Sequence, residues 1–213
     1  MSLIARQFGH PSGVLGRLIG RGMARSNGDF NRWLVGEIGR RCGHHATRIA
    51  ELGAGPGVGL EEILRTFPGS HVWGIDPSRV MLAQSRRRNF ADIQSRRLVL
   101  LEGDARRLQE LAPLDLVLAS HVLYFWHDPA SEFALIKAAL RPGGWLAVGY
   151  QLKANMPPFA QTNFPRAGHV LYETDADLVT LVEAGGFEKV EIAVSGPHDA
   201  PQGRLAWAES RGD

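Results

Sequence analysis

From residue 47 onward, short apolar runs rich in β-formers alternate with segments whose apolar residues recur at helical spacing. That alternation is the signature of βαβ units on a parallel sheet. The runs fall at 47–52, 71–75, 98–101, 115–119 and 145–150; the fourth is almost continuously apolar, as a strand covered on both faces must be. Between them a helix is expected over about 58–67, with Leu60, Ile63 and Leu64 on one face. Another carries Val80, Met81 and Ala83, with Pro77 in its first turn, and a third opens at Asp128-Pro129 and runs to Leu140. Arg141-Pro142-Gly143-Gly144 reads as the turn into the fifth strand. Residues 152–172 read as a long loop, and Thr174 to Asp177 as a loose capping box opening a helix with Leu178, Leu181 and Val182. Residues 190–194 and 204–208 complete the pattern as an antiparallel hairpin.

Before residue 47 the chain differs in kind. Gly13, Gly16, Gly20 and Gly22 punctuate a basic stretch, and 30–38 reads as one helix packed through Phe30, Trp33, Leu34 and Ile38. This is expected to be an N-terminal helical cap (1–46) on a single domain of 213 residues, whose core is 47–213. Arg6, Arg17, Arg21, Arg25, Arg32, Arg40, Arg41 and Arg48 crowd that quarter, opposed by Asp29 and Glu37. They make either a solvated basic face or a weak contact with an anionic membrane surface or substrate. Over the whole chain 24 Lys and Arg nearly balance 22 Asp and Glu, so net charge selects no partner. The lone Cys42 offers neither an internal disulfide nor a thiolate cluster, so no metal is expected. There is no leader-like apolar segment and no stretch of about 20 apolar residues, so a cytoplasmic protein without a membrane span is expected.

The chemistry-bearing residues gather where strands meet helices. Glu51-Leu52-Gly53-Ala54-Gly55-Pro56-Gly57-Val58-Gly59 follows the first strand, where open parallel sheets bind ligands beyond their strand ends. Glycines there permit a sharp turn and close approach of a ligand, although a bare βα turn uses them too. Asp76 ends the second strand, twenty-one residues after Gly55, and can accept both hydrogen bonds of a ribose diol or, instead, cap the helix before Pro77. Glu102-Gly103-Asp104-Ala105 ends the third.

In that order and spacing, residues 47 to about 210 resemble the class I, seven-stranded S-adenosylmethionine-dependent methyltransferases of the small-molecule type. The resemblance implies a doubly wound, mostly parallel, Rossmann-like seven-stranded sheet with a C-terminal antiparallel hairpin. It implies S-adenosylmethionine as cofactor, S-adenosylhomocysteine as product, and a small-molecule methyl acceptor. Glu51, Gly53, Gly55 and Gly57 would hold the amino-acid end, with loop N–H groups on its carboxylate. Asp76, followed by Pro77, would take the ribose, and Asp104 with the Ala105 N–H the adenine. Ser120 to Tyr124, after the fourth strand, would line the junction of cofactor and acceptor.

Methyl transfer from a sulfonium is a direct displacement, so alignment does most of the work. Where the acceptor must lose a proton, His121 is the candidate base and Tyr124 a candidate for orienting the acceptor; His121 could equally fill the pocket wall. His127 reads as a loop residue. The aromatics of 152–172 would either line the acceptor pocket or pack their loop on the core. Asn155-Met156-Pro157-Pro158-Phe159 looks like the motif that clamps a flipped base, but it stands after the wrong strand and carries an extra residue. It is read as loop stiffening, which argues against a nucleic-acid substrate. Two rivals remain: an NAD(P)-linked oxidoreductase, which wants G-x-G-x-x-G where Val58 stands, and a non-enzymatic module docking through its basic cap.

Overall fold

The structure, a computed structural model, describes residues 28–197 and 201–211. The elements in order are α1 (Gly28–Cys42), β1 (Arg48–Leu52), α2 (Val58–Thr66), β2 (His71–Asp76), α3 (Arg79–Arg88), α4 (Phe90–Gln94) and β3 (Leu98–Glu102). There follow β4 (Leu114–Ser120), α5 (Pro129–Ala139), β5 (Leu140–Tyr150), α6 (Pro158–Arg166), α7 (Asp175–Ala184), β6 (Glu188–Ser195) and β7 (Gly203–Ser210). Short 3-10 turns occupy Ala105–Glu110, Leu123–Phe125 and Lys153–Asn155.

The seven strands form one sheet in the order β3-β2-β1-β4-β5-β7-β6, parallel except for β7, which runs antiparallel to both its neighbours. The chain leaves β1 toward β2 and β3 on one side and later returns to β4 on the other, so the switch point lies between β1 and β4. There a crevice opens at the carboxyl ends of the strands.

Alternation along each strand sends side chains to two separate cores. Ala50, Leu52, Val117 and Val148 meet α5, α6 and α7 on one face. Ile49, Val72, Leu118 and Ala147 meet α1 and α2 on the other. Each fully buried aliphatic or aromatic side chain, such as Phe133 or Ile136 of α5, contributes about 1.5–3 kcal/mol.

The ends of the helices follow the local chemistry. Asp128 caps α5 by accepting from the Ser131 N–H at 3.2 Å, with Pro129 in the first turn. Thr174 and Asp177 form the reciprocal capping box of α7. Ser78, not Asp76, caps α3, taking the Met81 N–H at 3.3 Å, so Pro77 stands just outside the helix it was expected to open.

Three further expectations are corrected. Segment 152–172 is not a plain loop: α6 runs through it, with Pro158 in the first turn, where its missing N–H costs nothing, and Pro165 in the last. Arg141 to Gly144 is not a turn before a strand but an irregularity inside a longer one, since β4 pairs Leu114 with Leu140 and then Leu116 with Trp145. The helix expected over 30–38 is longer, running over Gly28–Cys42; its buried stripe is Asn31, Leu34, Val35, Ile38, Gly39 and Cys42, and Phe30 and Trp33 pack, partly buried, against the same core. Arg6, Arg17, Arg21, Arg25 and the glycines from 13 to 22 lie outside the described residues. Among the described residues no helix is long and apolar enough to cross a membrane, and no cluster of metal-ligating side chains occurs.

At the amino-terminal edge of the sheet Asp115 ties β1 to β4. Its Oδ2 accepts from the Thr47 N–H and Oγ1 at 2.8 Å each and from the Arg48 N–H at 2.9 Å, and Oδ1 accepts from Arg141 Nε at 2.6 Å. Burial opposes ionisation of this carboxyl, but the Arg141 guanidinium and the backbone donors prevail and hold its pKa at about 2.

Candidate functional site

At the opposite edge, where the strands end, lies a cavity of about 300 Å³. Its walls follow the sheet order: Asp104 after β3, Asp76 ending β2, the glycine loop after β1, and Ser120 and His121 after β4. Three strand spacings of about 4.8 Å separate the first from the last, so the wall runs for about 14 Å.

Glu51 is buried beneath the start of α2, in space that exists because residue 59 lacks a side chain. A Cβ there would stand 2.0 Å from Glu51 Oε1. Its Oε2 has no hydrogen-bond partner among the described residues. Burial, and then the negative charge of Asp76, push the Glu51 carboxyl well above the usual carboxylate range.

The glycine loop is held largely by its own amides. The N–H groups of Gly53 and Ala54 donate to the Ile75 carbonyl at 2.8 and 3.1 Å, that of Gly55 to Asp76 Oδ2 at 2.8 Å, and that of Gly57 to the Ala54 carbonyl at 3.0 Å. The expectation that these amides stand ready for a ligand carboxylate is therefore corrected: they are engaged. Val58 and Gly59, in the first turn of α2, also line the cavity, and the opening amides of that helix have no intrahelical acceptor.

Gly57 does not line the cavity. It sits at φ +83°, and a Cβ there would lie 2.5 Å from both Ser85 Oγ and Asn89 Nδ2, so close packing of α3 on the loop demands glycine. Asn89 Nδ2 also donates to the Gly57 carbonyl at 3.1 Å.

Asp76 is buried, its Oδ1 accepting from the Ser78 N–H and its Oδ2 from the Gly55 N–H, both at 2.8 Å. A carboxylate oxygen has two lone pairs and can serve more than one donor. Pro77 lies beside it in the wall. Asp104 is half-exposed and paired with Arg106, whose Nε lies 2.9 Å from Oδ1; that guanidinium, against the smaller effect of burial, lowers its pKa. Ala105 is buried and opens a 3-10 turn, so its N–H is not consumed inside that turn.

At the β4 end the Ser120 hydroxyl donates to Asn31 Oδ1 at 3.1 Å. His121 has φ +54°, an uncommon conformation for a side chain with a Cβ, fixed by its N–H donating to the Gly149 carbonyl at 2.8 Å. The imidazole packs 4.7 Å from the Phe30 ring, and burial pushes its pKa down to about 4, so it is neutral at physiological pH. Tyr124 stands apart from the cavity wall. Its buried hydroxyl donates to the Gln151 carbonyl at 3.1 Å and accepts the Gln151 N–H at 2.6 Å, and burial raises its pKa.

The cavity also gathers residues that local reading passes over: Asn31, Met81, Phe125, Trp126, His127 and Glu132. A polar side chain on the apolar stripe of α1, in phase with Leu34, Val35 and Ile38, was the available signal for Asn31. No comparable local signal marks Glu132, whose pKa is raised by burial and by Asp104.

Comparison with known proteins agrees with this geometry. The methyltransferase domain family matches residues 50–146, from β1 into β5. A Bacillus subtilis protein, the uncharacterized methyltransferase YdaC, is 27% identical over 172 residues, covering 80% of this chain and 86% of its own. Trans-aconitate 2-methyltransferase of Methylobacterium nodulans is 34% identical over 101 residues, which is 47% of this chain but only 37% of that enzyme. Magnesium protoporphyrin IX methyltransferase of Synechocystis, solved with bound S-adenosylhomocysteine, shares the fold with a TM-score of 0.67 at 13% identity, over 88% of this chain and 84% of that one. Residues 50–146 thus match a methyltransferase domain, and the acid-lined switch point and seven-strand order are those of the fold of class I S-adenosylmethionine-dependent methyltransferases.

Proposed function

We propose that this chain, acting as a single domain, transfers the methyl group of S-adenosylmethionine to a small-molecule acceptor by direct displacement. The observation that carries the reading is the buried Glu51 carboxylate, with Oε2 unpartnered among the described residues, on the same cavity wall as Asp76 and Asp104. A buried acid without a partner is costly unless a cation completes it.

The groups fit an adenosyl-amino-acid sulfonium laid along the sheet edge. Glu51 would take its ammonium, the opening amides of α2 its carboxylate, Asp76 the ribose hydroxyls, and Asp104 with the Ala105 N–H the adenine. Gly53, where a Cβ would stand 2.8 Å from Val122 Cβ, and Gly55 add no side chain of their own to the loop side of the groove. When bound, the cofactor supplies an electrophilic methyl carbon and a neutral thioether leaving group, S-adenosylhomocysteine.

The reacting end then falls beside Ser120 and His121. The neutral imidazole accepts a hydrogen bond from the acceptor's X–H. Where the acceptor must lose a proton, that imidazole would be the group placed to take it from X. Tyr124, tied to Gln151, supports this corner from behind.

Isothermal titration tests the reading. S-adenosylmethionine and S-adenosylhomocysteine should bind in the micromolar range and NADH should not, and replacing both Asp76 and Asp104 by Ala should abolish binding. NADH binding without S-adenosylmethionine binding would overturn it.

A further inference from the structure

The cofactor groove is built by β1 to β3, but its reactive end has a wall from elsewhere. Helix α1 crosses the ends of β4, β5 and β7, its Phe30 ring seated where a Cβ on Gly203 would come within 2.2 Å and one on Gly149 within 3.2 Å. Next to it in sequence, Asn31 lines the cavity. It is buried, and its carboxamide is oriented: Oδ1 accepts the Ser120 hydroxyl, which leaves the Nδ2 hydrogens as the donors available to a ligand.

The charge around this corner is one-sided. Among the described residues, the formally charged groups of the cavity wall are Glu51, Asp76, Asp104 and Glu132, with no Lys or Arg. A cationic cofactor offsets part of that charge. Asp104 is paired with Arg106 at the far end of the wall, but a carboxylate acceptor would still meet Glu51, Asp76 and Glu132 with no guanidinium among the described residues of the wall to receive it, and like-charge juxtaposition rejects such ligands strongly. The remaining surface near His121 is uncharged and partly aromatic: Val122, Phe125 and Trp126.

We propose that Asn31 is an acceptor-binding residue, donating from Nδ2 to an oxygen lone pair next to the reacting group, and that the acceptor is an uncharged small molecule rather than a carboxylate. This rests on the methyl-transfer reading above. It separates the chain from the trans-aconitate enzyme it partly resembles, whose named substrate is a polycarboxylate.

An isosteric pair of probes tests it whatever the natural acceptor is. Benzamide and benzoate have the same shape and differ in charge. Their binding to the full-length protein, measured by saturation-transfer NMR with and without saturating S-adenosylhomocysteine, should favour benzamide at least tenfold. Asn31→Asp keeps the size and the acceptor for Ser120 but removes the donor; it should weaken benzamide about tenfold or more. A circular dichroism melt confirms that the variant is folded. Equal or tighter benzoate binding, benzamide binding indifferent to Asn31→Asp, or binding of neither probe would each overturn the proposal. Failure of S-adenosylhomocysteine itself to bind would overturn the cofactor reading instead, and the probe pair on the unliganded protein would still decide this one.

Discussion

Two buried carboxylates sit at opposite edges of the same sheet and behave in opposite ways. Asp115, at the amino-terminal edge, is met by four donors and held at a pKa of about 2. Glu51, at the carboxyl edge, has an orphaned oxygen and a raised pKa. Burial raises both; what differs is whether the fold itself supplies the countercharge. Where it does, the acid is a structural tie. Where it does not, the fold keeps an electrostatic debt that a cationic ligand can settle, and the cavity lies at that edge.

The sharpest way to break this contrast is to exchange the effects of the two acids. Glu51→Gln should lower S-adenosylmethionine affinity at least 100-fold in a titration, about 3 kcal/mol, while the thermal midpoint holds or rises because an uncompensated buried acid is gone. Asp115→Asn should do the reverse, costing on the order of 2 kcal/mol in urea unfolding at pH 7 with cofactor affinity unchanged. Because its folded pKa is depressed, that stability is present above the unfolded value near 3.9 and fades as pH falls through about 2, so wild type and variant should converge in acid.

The third effect concerns protons. A bound cation favours ionised Glu51 and lowers its raised pKa, so between the free and liganded values binding expels a proton. Affinity should then climb with pH by up to about tenfold per unit and level off above the free value. Titrations in buffers of different ionisation heat should show the released proton, and Glu51→Gln should flatten the slope. The smallest effect sharpens the structural side: Thr47→Val removes one of the four donors to Asp115 and should cost about 1 kcal/mol of stability, leaving affinity alone.

Much of the functional edge was legible because it is local. Strand, glycine loop and terminal acid recur in order; spacing singled out Asp76, the family resemblance that this order carries named Glu51, Asp104 and Ser120, and all four line the cavity. What escaped reading depends on who meets whom across the chain. The amides of Gly53 and Gly55 are spent on Ile75 and Asp76, and Gly57 answers to Ser85 of α3 and to Asn89 at that helix's C-cap. Asn31 reaches the cavity only because α1 meets the end of β4, 89 residues later in sequence. The paired prolines at 157 and 158 looked like a stiffened loop but open α6, since proline is tolerated in a first turn as readily as in a loop.

The seat of Phe30 has an evolutionary corollary. The groove that would hold the shared reagent belongs to the stretch matched by the methyltransferase family, whereas the roof over its reactive end is a separate upstream helix resting on two missing side chains at 149 and 203. A single methyl at either glycine would lever that roof away. If α1 walls the acceptor end as proposed, substitutions along it would retune which molecules are admitted while the cofactor half stays as it is.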